Sequence, residues 1–597
     1  MISLFGETGL PPSVVFLGGA FLIPLIKGRW KSVFMLLLPL LTLYMVFTIP
    51  EGNHWVISFL DHDLILGRID RLSRIFSYIF LLISFIAVIF SLKIEDDLQY
   101  SAGFAYAGGA LGVTFAGDLF SLYIFWEIMA IASAFLIIAR RTQAARSAAF
   151  RYIMVHIFGG LSFLAGIVLY VQNHGTTEFS YIGLSGIDSW LIFLGIAVNA
   201  AIPPLHPWLS DAYPEATVTG AVFLSAFTTK SAVYVMARTF PGTELLIWIG
   251  ALMTIIPIFY AEMENDIRRV LAYSLINQVG FMMCGIGIGT QLALNGTVSH
   301  AFCHILYKAL LFMSAGAVLH MTGKSRCTDL GGLYKTMPLT CMFCIIGAAS
   351  ISAFPLFSGF VSKSMILSAA AHDKMAIVWL LLLFSSAGVT QHAGIKVPFF
   401  LFFGHDSGIR VKEPPVHMMI AMGITAFLCI FLGIRYDLLY AVLPYPVDYL
   451  PYTEAHVMGQ LQLLLFGALA FCLMVLSGYY LSEIRAINLD TDWFYRKGGR
   501  FFHQTVSRLL NGMNAWFHHV FAEKLAAGAA KFVEQAPVLL VLFIATPIIK
   551  RKREDQAAAK RKAESIRSAM ITLSVPIGIS AAATALFFTM LFLFMHL

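Results

Sequence analysis

Residues 198–238, VNAAIPPLHPWLSDAYPEATVTGAVFLSAFTTKSAVYVMAR, decide how this chain is read. An apolar segment enters the stretch and is interrupted at Pro203 and Pro204, and again at His206 and Pro207. Adjacent prolines remove two backbone donors and break a helix. At membrane depth the carbonyls they free must face protein or water. A second apolar segment then leaves the stretch carrying a lone lysine, Lys230. An ammonium there is costly unless it lines a pathway or meets a partner. A broken span followed by a buried cation points to ion translocation.

The rest of the composition agrees. The chain has 597 residues, 59% hydrophobic and 12% charged, with a mean hydropathy of +0.79. This is the composition of an all-α polytopic membrane protein, with no room for a separate soluble catalytic domain. The net charge of +7 sits in clusters beside apolar segments. That is a topology signal, and no nucleic-acid partner is expected. The seven cysteines fall mostly inside apolar runs. Cys341 and Cys344 have metal-type spacing, but no second pair or histidine follows nearby, so they read as small buried hydrophobes. No cofactor is expected. The N-terminus lacks a charged n-region and cleavage site, so residues 13–26 are read as a retained span.

Apolar segments recur from 13–26 to 569–596. The ~20-residue length of a span groups them into about fourteen to sixteen crossings. Basic clusters follow the first segment (Lys27, Arg29, Lys31), the fifth (Arg140, Arg141, Arg146, Arg151) and the eleventh (Lys324, Arg326, Lys335). Placing all three in the cytoplasm puts the N-terminus outside, in the inner (cytoplasmic) membrane of a cell. Residues 485–535 mix aromatic and aliphatic side chains with Arg, Lys and His at helical spacing, as in an amphipathic helix lying along a membrane or along neighbouring subunits. Basic residues at 550–553 and 560–562 then form an Ala-rich linker before a last span.

Several ionisable residues lie inside spans, where they are functional-site candidates by default. Glu127 stands about half-way along its segment; a structural ion pair with a lysine is the plainer alternative. Lys230 has Thr228, Thr229 and Ser231 to solvate it, and Arg238 nearby is the better interface residue. His300, His304 and Lys308 are spaced four apart, which stacks them on one helix face. Two imidazoles and an ammonium in a row suit a proton relay. Histidines spaced i, i+4 also bind zinc, but a lysine next on that face opposes a metal ion. Lys396 lies beside Pro398, with His392 one turn before it, which reads as a second broken helix. Lys363 follows a glycine-containing turn and is a further candidate, with an interface position as the alternative.

At these residues the sequence becomes recognisable. HPWLSDAYPEATVTGAVFLSAFTTK (206–230), DIRRVLAYSLINQVGFM (266–282), HILYKALLF (304–312), PLFSGFVSK (355–363) and HAGIKVPFF (392–400) resemble antiporter-like membrane subunits. Such subunits are shared by respiratory complex I, membrane-bound hydrogenases and the multi-subunit Mrp-type sodium/proton antiporters. The wording looks closest to the D-type Mrp subunit. The resemblance implies a core of about fourteen helices with two inverted five-helix repeats, each with a broken helix. It divides the chain into N-terminal helices (1–100), a first half (101–263), a second half (264–434), a further core helix (435–484), a lateral helix (485–535) and a C-terminal extension (536–597). Glu127 matches the buried glutamate, Lys230 the bridging lysine, His300, His304 and Lys308 the central relay, and Lys396 the terminal ionisable residue. There is one departure. Seven residues before His206 the family usually has a lysine partner for the glutamate; here that residue is Asn199, whose amide neither takes up nor releases a proton at neutral pH. Lys230 then becomes the nearest candidate partner for Glu127.

The implied function is a non-enzymatic, proton- or cation-translocating subunit of an Mrp-type complex. Its expected partners are other membrane subunits, the bilayer, and protons with sodium or another monovalent cation. The alternative is a proton-pumping membrane-arm subunit of a complex I-like or hydrogenase-like redox complex.

Overall fold

The computed structural model describes residues 9–59, 62–478, 488–552, 556–573, 578, 581 and 584–590. Two helices, α1 (Pro12–Leu22) and α2 (Arg29–Thr48), precede a short antiparallel hairpin, β1 (Gly52–Phe59) and β2 (His62–Ile69). The hairpin has no counterpart in the sequence reading, because its eight-residue strands are too short to stand out from the apolar spans around them. There follow α3 (Arg71–Ser91), α4 (Asp97–Phe115), α5 (Leu119–Ile138), α6 (Gln143–His174), α7 (Ile187–Asn199), α8 (Pro207–Ala212), α9 (Val218–Ala226), α10 (Thr228–Thr239) and α11 (Glu244–Met263). The next series is α12 (Ile267–Ile288), α13 (Gln291–Thr322), α14 (Pro338–Ile351), α15 (Ser358–His372), α16 (Ala376–Val389), the single turn α17 (Lys396–Pro398) and α18 (Val416–Ile434). Helices α19 (Tyr436–Ala441) and α20 (Glu454–Leu476) close this unit. Eleven of the described helical stretches are long and apolar enough to cross a membrane, and three shorter apolar helices accompany them. This is a multi-pass, all-α membrane architecture.

The two series from α5 and from α12 are copies. Asp118 caps α5 and Asp266 caps α12, each through its carboxylate on the first-turn amides. Thr142 caps α6 and Thr290 caps α13, both of which have 32 residues and end on a left-handed glycine, Gly175 or Gly323. The bridge between Asp118 and Glu178 recurs between Asp266 and Arg326. Each of these pairs is 148 residues apart (118 and 266, 142 and 290, 175 and 323, 178 and 326). Each series holds five crossings: α5, α6, α7–α8, α9–α10, α11, and then α12, α13, α14–α15, α16–α17, α18. An odd number of crossings inverts the second copy in the membrane.

The repeat also locates the second broken helix. After α7 the chain turns through Ala201 (φ 56°), with Ala201 N–H donating to Val198 O and Ile202 N–H to Ala197 O. After α14 it does the same 152 residues on: Ala353 (φ 58°) donates to Ser350 O and Phe354 to Ala349 O. The break matching the one at 200–206 is therefore at 352–357, and the ionisable residue beyond it is Lys363. Lys396 lies instead in a continuous helical stretch, 376–403, wound locally into π turns at Thr390–Ile395 and Phe399–Phe403. Pro398 lacks an N–H, and widening the helix absorbs that loss without opening a loop.

The core lies along α9–α10 and α12, which are wholly buried, and α13, which is nearly so, whereas α2 and α20 are mostly exposed. Residues 493–597 form a second compact unit. Its backbone runs through α21 (Asp492–Phe517), a π-wound stretch (His518–Leu525), α22 (Ala526–Lys552) and α23 (Gln556–Leu573). Phe494, Phe501, Leu509, Met513, Trp516 and Phe521 are exposed along it at roughly helical spacing. The basic residues expected in a linker are helical at 550–552 and 560–562. Helix α22 runs through 535 and 536 without a break. Most of the expected last span, 569–596, lies outside the described residues.

Candidate functional site

At the first break the carbonyl of Val198, in the last turn of α7, accepts from the Ala201 N–H and also from the Trp208 indole N–H at 2.9 Å. A second interruption, at Phe227 between α9 and α10, frees the carbonyl of Ser225, and Lys230 uses it. The Lys230 ammonium donates to Ser225 O at 2.7 Å and to Thr229 Oγ1 at 3.1 Å, with no side-chain exposure. Behind it, Tyr106 Oη lies 2.6 Å from Thr228 Oγ1.

His300, His304 and Lys308 lie on one buried face of α13. His300 Nδ1 is 3.0 Å from Ser362 Oγ on α15, and its Nε2 is 3.2 Å from Gln278 Oε1 on α12. Gln278 donates to Asn277 Oδ1 at 2.6 Å, and Asn277 donates to Ser385 Oγ at 2.9 Å and to the Thr254 carbonyl. Both nitrogens of His304 and the Lys308 ammonium are buried without a hydrogen-bond partner. Lys363 is buried: it donates to Ile351 O at 3.0 Å, at the end of α14, and stands over the Phe281 ring. Lys396 donates to the carbonyls of Ala261 (3.0 Å), Glu262 (2.6 Å) and Glu264 (2.9 Å), at the C-terminus of α11. A cation there meets the negative end of the helix dipole.

These groups are brought together. His300 and His304 lie within electrostatic reach of Lys230 and Lys363, and His304 also of Lys308. His392, fully buried, lies within reach of Lys308, Lys363 and Lys396. Glu127 stands apart from this line. It is half-buried on α5, its Oε1 has no hydrogen-bond partner, and no ion pair joins it to Lys230. Its carboxylate lies against Gly160 of α6, where a Cβ would collide with Oε1. Asn199, at the end of α7, holds His156 instead, with Oδ1 2.9 Å from Nδ1. Arg238, in the last turn of α10, makes two 2.7 Å bonds to the Asp70 carboxylate.

His206, in the break itself, is buried 3.2 Å from Asp490 Oδ1, and Tyr273 donates to Asp490 Oδ2 at 2.8 Å. Thr491 Oγ1 donates to the Pro204 carbonyl at 2.9 Å. Burial raises the Asp490 carboxyl, but His206, the Thr491 amide and Tyr273 outweigh it and hold the group below its ordinary value. Sequence reasoning missed Asp490, which lies beyond the spans. It also missed His156, a single histidine on an apolar helix, and the Asn277–Gln278 pair, although both amides sit inside a motif that carries the resemblance.

Residues 116–390 match the family described as "NADH:quinone oxidoreductase/Mrp antiporter, TM". Over 431 residues the chain is 30% identical to the D-type subunit of the Na(+)/H(+) antiporter of Alkalihalophilus pseudofirmus, covering 66% of this chain and 87% of that relative. The chain belongs to this family. A second relative, the A1-type subunit of the Na(+)/H(+) antiporter of Staphylococcus haemolyticus, is 29% identical over 480 residues, covering 70% of this chain but 59% of that relative. Among solved structures, the Mrp complex from Dietzia sp. DQ12-45-1b has a chain of the same fold, with a TM-score of 0.73 at 23% identity. That likeness spans 90% of this chain and 66% of the Dietzia chain. The family thus includes longer subunits of which this chain matches about two thirds or less.

Proposed function

We propose that this chain is a D-type-like, ion-translocating membrane subunit of an Mrp-type cation/proton antiporter complex. Protons move along Lys230, His300 and His304, Lys308 and Lys396, with His392 and Lys363 beside the line. The observation that carries this reading is the burial of these seven ionisable side chains, each at most 1% exposed, within electrostatic reach of one another. Ionisable groups buried at such depth are tolerated where they serve a pathway. The kinship with the D-type antiporter subunit supports the antiporter assignment, the inner membrane of a bacterium as its location, and other membrane subunits as partners. Translocation driven by ion gradients needs no enzymatic centre in this chain.

The family description also names NADH:quinone oxidoreductase, so a redox-driven membrane arm is the second reading. Purifying the tagged chain from its native membrane separates the two: small antiporter subunits support the first, iron–sulfur or hydrogenase subunits the second. Lys308→Ala in the assembled complex should abolish cation-coupled proton movement. Normal transport in that variant would overturn the relay.

A further inference from the structure

We propose that His156 exchanges a proton with Glu127, and that this pair is the working centre of the first repeat. The inference rests on the ion-translocating reading above. Under the 148-residue repeat, Tyr152, His156 and Gly160 of α6 occupy the places of His300, His304 and Lys308 of α13 (152 and 300, 156 and 304, 160 and 308). His156 is therefore the first-half copy of a relay histidine. Where the second half has the Lys308 side chain, the first half has a glycine, and the Glu127 carboxylate fills the space that a side chain at 160 would need. The row that reads His300, His304, ammonium in one repeat reads Tyr152, His156, carboxylate in the other. The frame is the same and the charge is reversed.

The local contacts suit a proton carrier. His156 is buried, and its Nδ1 is held by Asn199 Oδ1 at 2.9 Å, so Nδ1 keeps its proton. Its Nε2 and the Glu127 Oε1 are both buried without a hydrogen-bond partner. Residues one turn apart on a helix lie about 5–6 Å apart at Cβ, so the carboxylate resting on Gly160 stands one turn along α6 from His156, as Lys308 stands from His304 along α13. The exchange balances through one bridging water: the imidazolium Nε2–H gives its proton to the water, which gives one of its own to the carboxylate, leaving a neutral imidazole, an unchanged water and a carboxylic acid, and the reverse step restores both charges. Asn199 titrates at no point; it fixes the tautomer. Tyr152, with its ring 4.0 Å from that of His156 and its hydroxyl 2.7 Å from Ser133 Oγ, is the next group in the row.

The test uses the assembled complex in inside-out vesicles, with antiport read from the collapse of an imposed pH gradient. His156→Gln should lower antiport about 100-fold, the scale of a lost proton-transfer group. Adding Asn199→Lys to His156→Gln should restore part of it by returning a titratable group. Gly160→Ala keeps every titratable group and favours the helix, yet displaces the carboxylate; it should lose antiport while the complex assembles normally. Asn199→Asp should move the acid limb of the pH profile to higher pH, because a carboxylate on Nδ1–H favours the imidazolium. Besides Asn199, the rings of Tyr152 on α6 and Trp208 on α8 pack on His156; these, Glu127 on α5, and the ion pair of Arg151 on α6 with Asp211 on α8 (2.7 Å) are unchanged in that variant. If Lys308→Ala loses antiport while His156→Gln and Gly160→Ala keep it, this inference fails and the broader reading stands. If Lys308→Ala also keeps it, the broader reading fails. Should His156→Gln prevent assembly, an unshifted pH profile in Asn199→Asp overturns the inference on its own.

Discussion

Lys308 and Lys396 are both fully buried, yet replacing them by methionine should move stability in opposite directions. Methionine approximates the length and volume of the lysine stem, so packing is nearly conserved in each case. The Lys308 ammonium has no hydrogen-bond partner. Removing an unsatisfied buried donor relieves about 1–3 kcal/mol, and Lys308→Met should raise the unfolding midpoint of the purified complex. Lys396 donates to three carbonyls at the end of α11, at 2.6–3.0 Å. At about 1 kcal/mol net per bond, and more where a buried carbonyl is left bare, Lys396→Met should cost about 3 kcal/mol or more. The assay is detergent-based thermal unfolding of the intact complex, beside the antiport assay. Transport should fall in both variants. A Lys308→Met complex that is as destabilised as Lys396→Met would refute the reasoning, since it would mean that the Lys308 ammonium holds the fold together.

Other outcomes follow from the same geometry. Burial raises the Asp70 carboxyl, but the Arg238 charge, the Ser73 amide and Arg68 outweigh it and hold the group below its ordinary 3.8. A lowered folded value means that the stabilisation is present above 3.8 and is lost as pH falls through the folded value; Asp70→Asn should flatten this acid limb, and an unchanged pH dependence would contradict it. Trp208→Phe deletes the bond to Val198 O and should cost about 1 kcal/mol, with no change in midpoint as the contrary result. Asp490→Asn weakens the pairing with His206, so amide exchange at 488–491 should quicken; equal protection in both proteins would show that Tyr273 and Thr491 suffice.

What was legible in the sequence depended on how strong each local signal was. The break at 200–206 could be read because two prolines and a third at Pro207 leave no helical alternative. The break at 352–357 contains one proline among small residues, and the more conspicuous Pro398 drew the assignment to Lys396. Only the recurrence of the Ala201 turn at Ala353 corrects it. The His300, His304 and Lys308 row was legible from spacing alone, since four-residue steps stack on a helix. Its first-half copy was not, because Tyr152, His156 and Gly160 share one histidine with it and no charge, and the charge arrives from another helix as Glu127. Asp490 carried no signal at all: a carboxylate beyond the last core span looks solvated until the fold returns it to His206.

The central claim is that ions cross this subunit along the buried row on α13. The most direct measurement is sodium- or potassium-driven proton movement by the complete complex in sealed vesicles, comparing the natural chain with Lys308→Met at equal assembly. The account predicts cation-dependent proton movement by the natural complex and a loss of at least about 100-fold in the variant. Equal movement in the two complexes, or none that depends on a cation in the natural one, would contradict it.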